Sequence, residues 1–265
     1  PPRSTLFPYT TLFRSASLWL ESFLYRHADR LVVNSPGFIE HVTRRGAKQV
    51  ELVPNGADAA MFDPYASGAG FREDYDLQGK FVAIYAGAHG MSNDLGVLLQ
   101  AARELLDTPQ IVIALIGDGK EKPALMQQAD EMKVKNVRFI PPMPKARMAQ
   151  ALAAADACIA ILKPIPMYAT VYPNKVFDYM AAGRPVILAI DGVIRQVVEA
   201  AEAGMFVQPG EVHAMTLAIR ELANHPDQGR AMGLRGRQYV EAHFNRPDLA
   251  EKLAILIEEL GNCKS

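Results

Sequence analysis

Lys175 and Asp178 stand three residues apart in the run Pro173-Asn174-Lys175-Val176-Phe177-Asp178-Tyr179-Met180-Ala181-Ala182-Gly183-Arg184-Pro185, and an apolar strand candidate, Val186–Ile190, follows at once. A helix that opens at Pro173-Asn174 and stops at Gly183-Arg184-Pro185 would dock on that strand with its first turn facing a ligand. Helix N-termini present unpaired N–H groups and a positive partial charge, so Pro173, Asn174 and the Lys175 ammonium suit a phosphate. One turn further on, the Asp178 carboxylate can accept two hydroxyl hydrogen bonds, as a ribose requires. Phosphate and ribose together specify a nucleotide. Tyr179, Met180, Ala181 and Ala182 read as packing of helix on sheet, whereas an aspartate inside a short, alanine-rich helix is seldom without a polar partner.

The surrounding sequence says what positions these residues. Apolar runs at Phe81–Ala86, Ile111–Ile116, Val137–Ile140, Ala157–Leu162, Val186–Ile190 and Met205–Val207 alternate with helical patterns at Asp94–Leu106, Lys120–Met132, Lys145–Ala155, Lys175–Ala182, Ile194–Ala201 and Val212–Asn224. Continuous apolar strands separated by helices predict an α/β fold, a Rossmann-like parallel sheet with helices on both faces. Ligands gather at the carboxyl ends of such strands, so the loops that follow them are the candidate site. In Gly87-Ala88-His89-Gly90 the glycines let backbone N–H groups approach a diphosphate, while His89 is as well suited to steadying the loop as to touching the ligand. Gly117-Asp118-Gly119 is either a tight turn or a ligand contact. Neither loop completes Gly-x-Gly-x-x-Gly, which disfavours NAD. Pro141-Pro142-Met143-Pro144 stiffens the third loop, and Lys163–Tyr172 forms the fourth.

These features resemble the nucleotide-sugar-binding signature of GT-B-fold, retaining glycosyltransferases of family 4, which often ends Leu-Glu-Ala-Met-Ala-x-Gly-x-Pro-Val. Asn34-Ser35, Pro54-Asn55-Gly56-Ala57-Asp58 and Gly117-Asp118-Gly119 recur in family order. Tyr85-Ala86-Gly87-Ala88-His89-Gly90 and Thr170-Val171-Tyr172-Pro173-Asn174-Lys175 are similar to the form found in cell-surface polysaccharide transferases, including fucosaminyl transferases. The resemblance implies that Gly87, His89, Gly90, Gly117, Asp118, Pro173, Asn174, Lys175 and Asp178 bind the donor, with Pro142 near the nucleobase. It singles out no catalytic residue here. Two departures stand out. His89, Asn93 and Asp94 occupy the region where many members place an arginine and a lysine, and no carboxylate precedes Pro173 where the family often has one.

The function that this implies is transfer of a sugar from a nucleoside diphosphate, UDP being the expected one, to a carbohydrate or lipid-linked acceptor in surface polysaccharide synthesis. No cofactor and no metal are expected. A non-hydrolysing sugar-nucleotide epimerase and a nucleotide-binding module without turnover are the alternatives. Asp74-Tyr75-Asp76 has the metal-nucleotide Asp-x-Asp form, but it precedes the first strand of the sheet and reads as a solvated turn. There is no zinc-ligand spacing and no nucleophile elbow.

Composition narrows the class further. The 265 residues are 49% hydrophobic, enough for a substantial core. A net charge of −1 gives no basic field, which argues against nucleic acid as a partner. Cys158 lies in an apolar run and Cys263 in the tail, so a disulfide framework is not expected and a reducing, cytoplasmic setting is. No apolar run approaches the roughly 18 to 20 residues that span a bilayer.

The segment Thr5–Ser15 resembles the translation of a common sequencing-library adapter, so residues 1–15 are read as an assembly artefact and the chain as N-terminally truncated. By the resemblance, residues 16–60 are the tail of an N-terminal acceptor domain with its linker. Residues 61–245 are the donor-binding domain, and 246–265 are a C-terminal crossover helix. On that reading the fragment alone is inactive, and any peripheral membrane contact belongs to the missing N-terminal part.

Overall fold

The computed structural model describes residues 7–262, with side chains from residue 13 onward. The chain divides into two units, one of residues up to Pro54 together with those from Glu251, the other Asn55–Ala250. In the first, α1 (Phe7–His27), β1 (Leu31–Val33), α2 (Ile39–Arg44) and β2 (Val50–Leu52) enclose a small core of Val33, Val42 and Ala47. The two strands pair in parallel. Glu21 ties the elements together by accepting hydrogen bonds from Tyr25 at 3.0 Å and His41 at 2.8 Å, with Arg45 at 2.8 Å. Phe7–Ser15 continue directly into the rest of α1. Thr5, Leu6 and Cys263 lie outside the described residues.

The second unit contains α3 (Ala69–Asp74), β3 (Phe81–Ala86), α4 (Leu95–Glu104), β4 (Ile111–Ile116), α5 (Lys122–Met132), β5 (Val137–Ile140), α6 (Lys145–Ala153) and β6 (Ala157–Ile161). It continues with α7 (Asn174–Ala181), β7 (Val186–Ala189), α8 (Val193–Ala200), β8 (Gly204–Phe206), α9 (Val212–Asn224) and α10 (Pro226–His243), and then α11 (Arg246–Asn262) begins. Past Ala250, α11 belongs to the first unit, where Lys252 Nζ donates to the Leu52 carbonyl at 2.8 Å and Glu259 pairs with Arg30 at 2.7 Å.

All six strands of the large sheet run parallel in the order β5-β4-β3-β6-β7-β8. The alternation of strand side chains explains the layers. Val82 and Ile84 face one core with Val176, Phe177, Ile194 and Val240, while Ala83 and Tyr85 face the other with Leu98, Leu125 and Met215. Helices therefore cover both faces, and β4 is apolar at every position because neither face meets water. Each fully buried leucine or isoleucine there contributes about 1.5–3 kcal/mol. This is the Rossmann-like α/β arrangement expected from the sequence.

Strand order fixes where a ligand can sit. From β3 the chain first builds outward through β4 and β5, then returns to place β6, β7 and β8 on the opposite side. The loops that leave β3 and β6 therefore diverge, opening a crevice at their carboxyl ends.

Candidate functional site

The crevice is held by α7. Its apolar face, Val176, Phe177, Tyr179 and Met180, is buried on the sheet. The buried Tyr179 hydroxyl accepts from the Ala86 N–H at 2.9 Å and donates to the Ala86 carbonyl at 3.1 Å. This pins the helix to the last residue of β3. At the other end Gly183, at φ 67, closes a Schellman turn in which Gly183 N–H donates to Met180 and Arg184 N–H to Tyr179. Arg237 donates to the Ala181 and Phe62 carbonyls and so caps the C-terminus of α7.

With the helix fixed, Lys175 lies against the loop after β3. Its Nζ donates to Tyr85 Oη at 3.0 Å and sits 4.0 Å above the Tyr85 ring. Gly87 has φ 153, a conformation that favours glycine, and a Cβ there would lie 2.6 Å from the Lys175 ammonium. Burial lowers the Lys175 pKa to about 8, and no carboxylate among the described residues offsets the lost hydration. Tyr85 Oη donates to the Ala88 carbonyl at 2.8 Å, where Asn93 Nδ2 also donates at 3.0 Å, so the loop and Lys175 form one network.

Gly117 and Gly119 serve close approach. A Cβ on Gly117, at φ 142, would fall on the Gly87 carbonyl, and one on Gly119 on the His89 carbonyl. The two glycine loops are stitched by His89 N–H to the Asp118 carbonyl at 2.8 Å and Glu121 N–H to the His89 carbonyl at 2.9 Å. The His89 ring is fully buried beside Tyr85 and Phe139, and both ring nitrogens are without a hydrogen-bond partner among the described residues. Desolvation and then Lys122 hold its pKa below the ordinary value, which favours the neutral imidazole. Asp118 is exposed and its carboxylate accepts from Gly119 N–H at 2.8 Å.

Asp178 lies one turn along α7 from Lys175. Its Oδ1 is buried with no partner among the described residues, and desolvation raises its pKa despite Arg246 and Lys145 nearby. Pro173 precedes α7 as its N-cap, and Asn174 and Pro142 are exposed. Gly90 lines a cleft of about 200 Å³ with Asp94, Glu121 and Lys163. Tyr85 and Tyr179 were legible in the sequence only as apolar strand and helix residues, and nothing in the spacing marks their hydroxyls as the fasteners of the site. Asp74 ends α3 and pairs with Arg147 at 2.6 Å, while Asp76 has φ 54, so Asp74-Tyr75-Asp76 is a helix-end turn. Among the described residues no group of three His, Cys, Asp or Glu side chains could hold a metal ion.

The family model of glycosyl transferases group 1 matches residues 80–225, the part of the chain that carries β3 to α9. The chain belongs to the group 1 glycosyl transferases. It is 29% identical over 245 residues to the D-inositol 3-phosphate glycosyltransferase of Nocardia farcinica, covering 88% of this chain and 53% of that protein. It thus spans about half the length of the curated relatives it matches. Its fold is that of sucrose-phosphate synthase from Thermosynechococcus elongatus (TM-score 0.81, 23% identity, 94% of this chain and 62% of that one). Anabaena Alr3699/HepE, solved in complex with UDP-glucose, superposes equally well (TM-score 0.81, 18% identity, 94% and 69%). These likenesses show a GT-B glycosyltransferase fold.

Lys175 lies at the inner end of the glycine loop after β3. Between Gly87 and Asp94 that loop contains neither arginine nor lysine.

Proposed function

We propose that this chain is the donor-binding part of a retaining, metal-independent glycosyltransferase. It transfers a sugar from a nucleoside diphosphate, UDP in the first place, to a carbohydrate or lipid-linked acceptor in surface polysaccharide synthesis. The observation that carries this reading is the Lys175 ammonium set against Gly87 at the switch point between β3 and β6, with Asp178 one turn behind it. A diphosphate laid along the Gly87–Gly90 loop meets that cation and the N-terminal N–H groups of α7, and a ribose reaches the Asp178 carboxylate, whose buried Oδ1 has no partner among the described residues. As the sugar leaves, negative charge grows on the diphosphate, and fixed positive groups in a partly desolvated site stabilise it without reorganising. The UDP-glucose complex of Alr3699/HepE supports a UDP-linked donor. Among the described residues no helix is long and apolar enough to cross a membrane, and we place the protein in the cytoplasm, with any membrane contact peripheral.

Product analysis tests the reading. A full-length protein that carries this chain is incubated with UDP- and GDP-sugars and a panel of carbohydrate and lipid-linked acceptors, and products are followed by NMR. A new glycosidic bond with the donor's anomeric configuration supports it. An epimerised donor sugar, or nucleotide binding with no turnover, would replace it with the epimerase or the binding-module reading.

A further inference from the structure

The donor-site reading leaves one electrostatic requirement unmet. A diphosphate lying along Gly87–Gly90 meets Lys175 only beside Gly87, and Lys122, which acts on His89, is committed to the Gly117 carbonyl at 2.8 Å. At the other end, Gly90 and Lys163 line one cleft. This residue follows β6, the strand beside β3, and its N–H donates to the Ser92 carbonyl at 2.9 Å. The same connection is fastened a second time where Tyr168 Oη donates to Ser92 Oγ at 2.7 Å. The two hydrogen bonds hold the start of the long β6–α7 segment against the loop after β3.

Lys163 lines two clefts on that rim. One, of about 200 Å³, it shares with Gly90, Asp94 and Glu121, and the other, of about 240 Å³, with Tyr168, Asp191 and Gln208. The side chain is half-buried, and no hydrogen bond or ion pair of its ammonium occurs among the described residues. Asp94 and Glu121 repel an anion, and Lys163 is the cation that lines the first cleft. Adjacency gives an order along the rim: Asp178, then Lys175 one turn before it, then Gly87 beside Lys175, then Gly90, then Lys163. A nucleotide whose ribose is held by Asp178 therefore points its phosphates from Lys175 toward Lys163.

We propose that Lys163 is the second cation of the donor site and binds the distal, sugar-bearing phosphate. The charge that the loop after β3 lacks is supplied from the β6 side, across the switch point. On this inference, which rests on the donor-site reading above, Lys163 discriminates diphosphates from monophosphates and neutralises the group that departs from the sugar.

The test is a calorimetric titration of UDP and UMP, with GDP and GMP as a second pair, into the full chain and its Lys163→Ala and Lys163→Arg variants. Thermal midpoints serve as the control for folding. Lys163→Ala is expected to weaken UDP about tenfold and to leave UMP within about twofold, while Lys163→Arg keeps most of the UDP affinity. If Lys163→Ala lowers the thermal midpoint, Lys163→Gln, which keeps the length of the stem, takes its place. UDP binding that neither neutral variant alters overturns the inference, and so does an equal loss for UDP and UMP. Failure of the unaltered chain to bind either diphosphate would instead remove the donor-site reading itself, and Lys163's role with it.

Discussion

The Asp178 carboxylate has a buried oxygen with no partner among the described residues, and burial raises its pKa above the ordinary 3.8. A carboxyl that holds its proton more tightly in the fold than in the unfolded chain contributes stability below about 3.8, and that contribution is lost as pH rises through the folded value. At neutral pH the charged Asp178 is therefore a destabilising group kept for what it binds. Asp178→Asn should raise the thermal midpoint in neutral buffer, with the gain shrinking as the buffer is made acid, and should weaken UDP because the amide carries a donor where ribose hydroxyls need an acceptor. Lys175 is the complementary case. Charge-assisted hydrogen bonds are worth about 1.5–3 kcal/mol, so Lys175→Ala or Asp178→Ala should weaken UDP about ten- to hundredfold by calorimetry, whereas Asp178→Glu should be tolerated. The diphosphate binds the ammonium form, so affinity should also fall as pH rises through about 8, by at most about tenfold per pH unit. Unchanged affinity in both alanine variants would remove these two residues from the site.

At the scale of elements, one hydroxyl ties α7 to the end of β3. Tyr179 satisfies both backbone groups of Ala86 at the end of β3, and Phe in its place leaves a buried N–H and a buried C=O without partners. Tyr179→Phe should cost about 1–3 kcal/mol by denaturant unfolding and should weaken UDP as well, since Lys175 rides on the same helix. A loss of stability with UDP affinity intact would show that α7 holds its place without this fastener. Much of the element pattern was legible in the sequence. Phe81–Ala86, Ile111–Ile116 and Val137–Ile140 are strands with the expected bounds, because an apolar run flanked by glycine or proline loops has one way to be buried on both faces. The helix expected at Lys120 starts at Lys122, since Gly119 must take a glycine-only conformation against His89 and Pro123 suits the first turn. The edge strand β8 begins one residue early at Gly204, where the close approach of the Val186 backbone matters more than side-chain hydropathy. The site was legible only in part. Lys175 and Asp178 stood out because charge inside an apolar helix needs a reason, but the meeting of Lys175 with Tyr85 arises from topology and not from spacing.

At the scale of the molecule, the larger unit carries the family match and the site, and its acid tolerance should depend on one residue. The His89 ring is buried without a hydrogen-bond partner among the described residues, and desolvation followed by Lys122 lowers its pKa below 6.5, with Asp118 acting in the opposite sense. A group with a lowered folded pKa contributes stability above its unfolded value and loses it as pH falls, because the unfolded chain takes the proton more readily. Stability should therefore decline as pH drops below about 6.5. His89→Leu should remove that part of the slope in urea unfolding, and an identical slope would mean that other groups set it. The central claim, that the donor nucleotide binds at α7 and the Gly87–Gly90 loop, is tested most directly by a crystal structure of the chain with UDP. A phosphate oxygen is expected within about 3.2 Å of Lys175 Nζ, with the ribose hydroxyls on Asp178. UDP found elsewhere, for instance in the cleft lined by Pro164, Ile190 and Gln208 with Lys175 and Asp178 untouched, would contradict it.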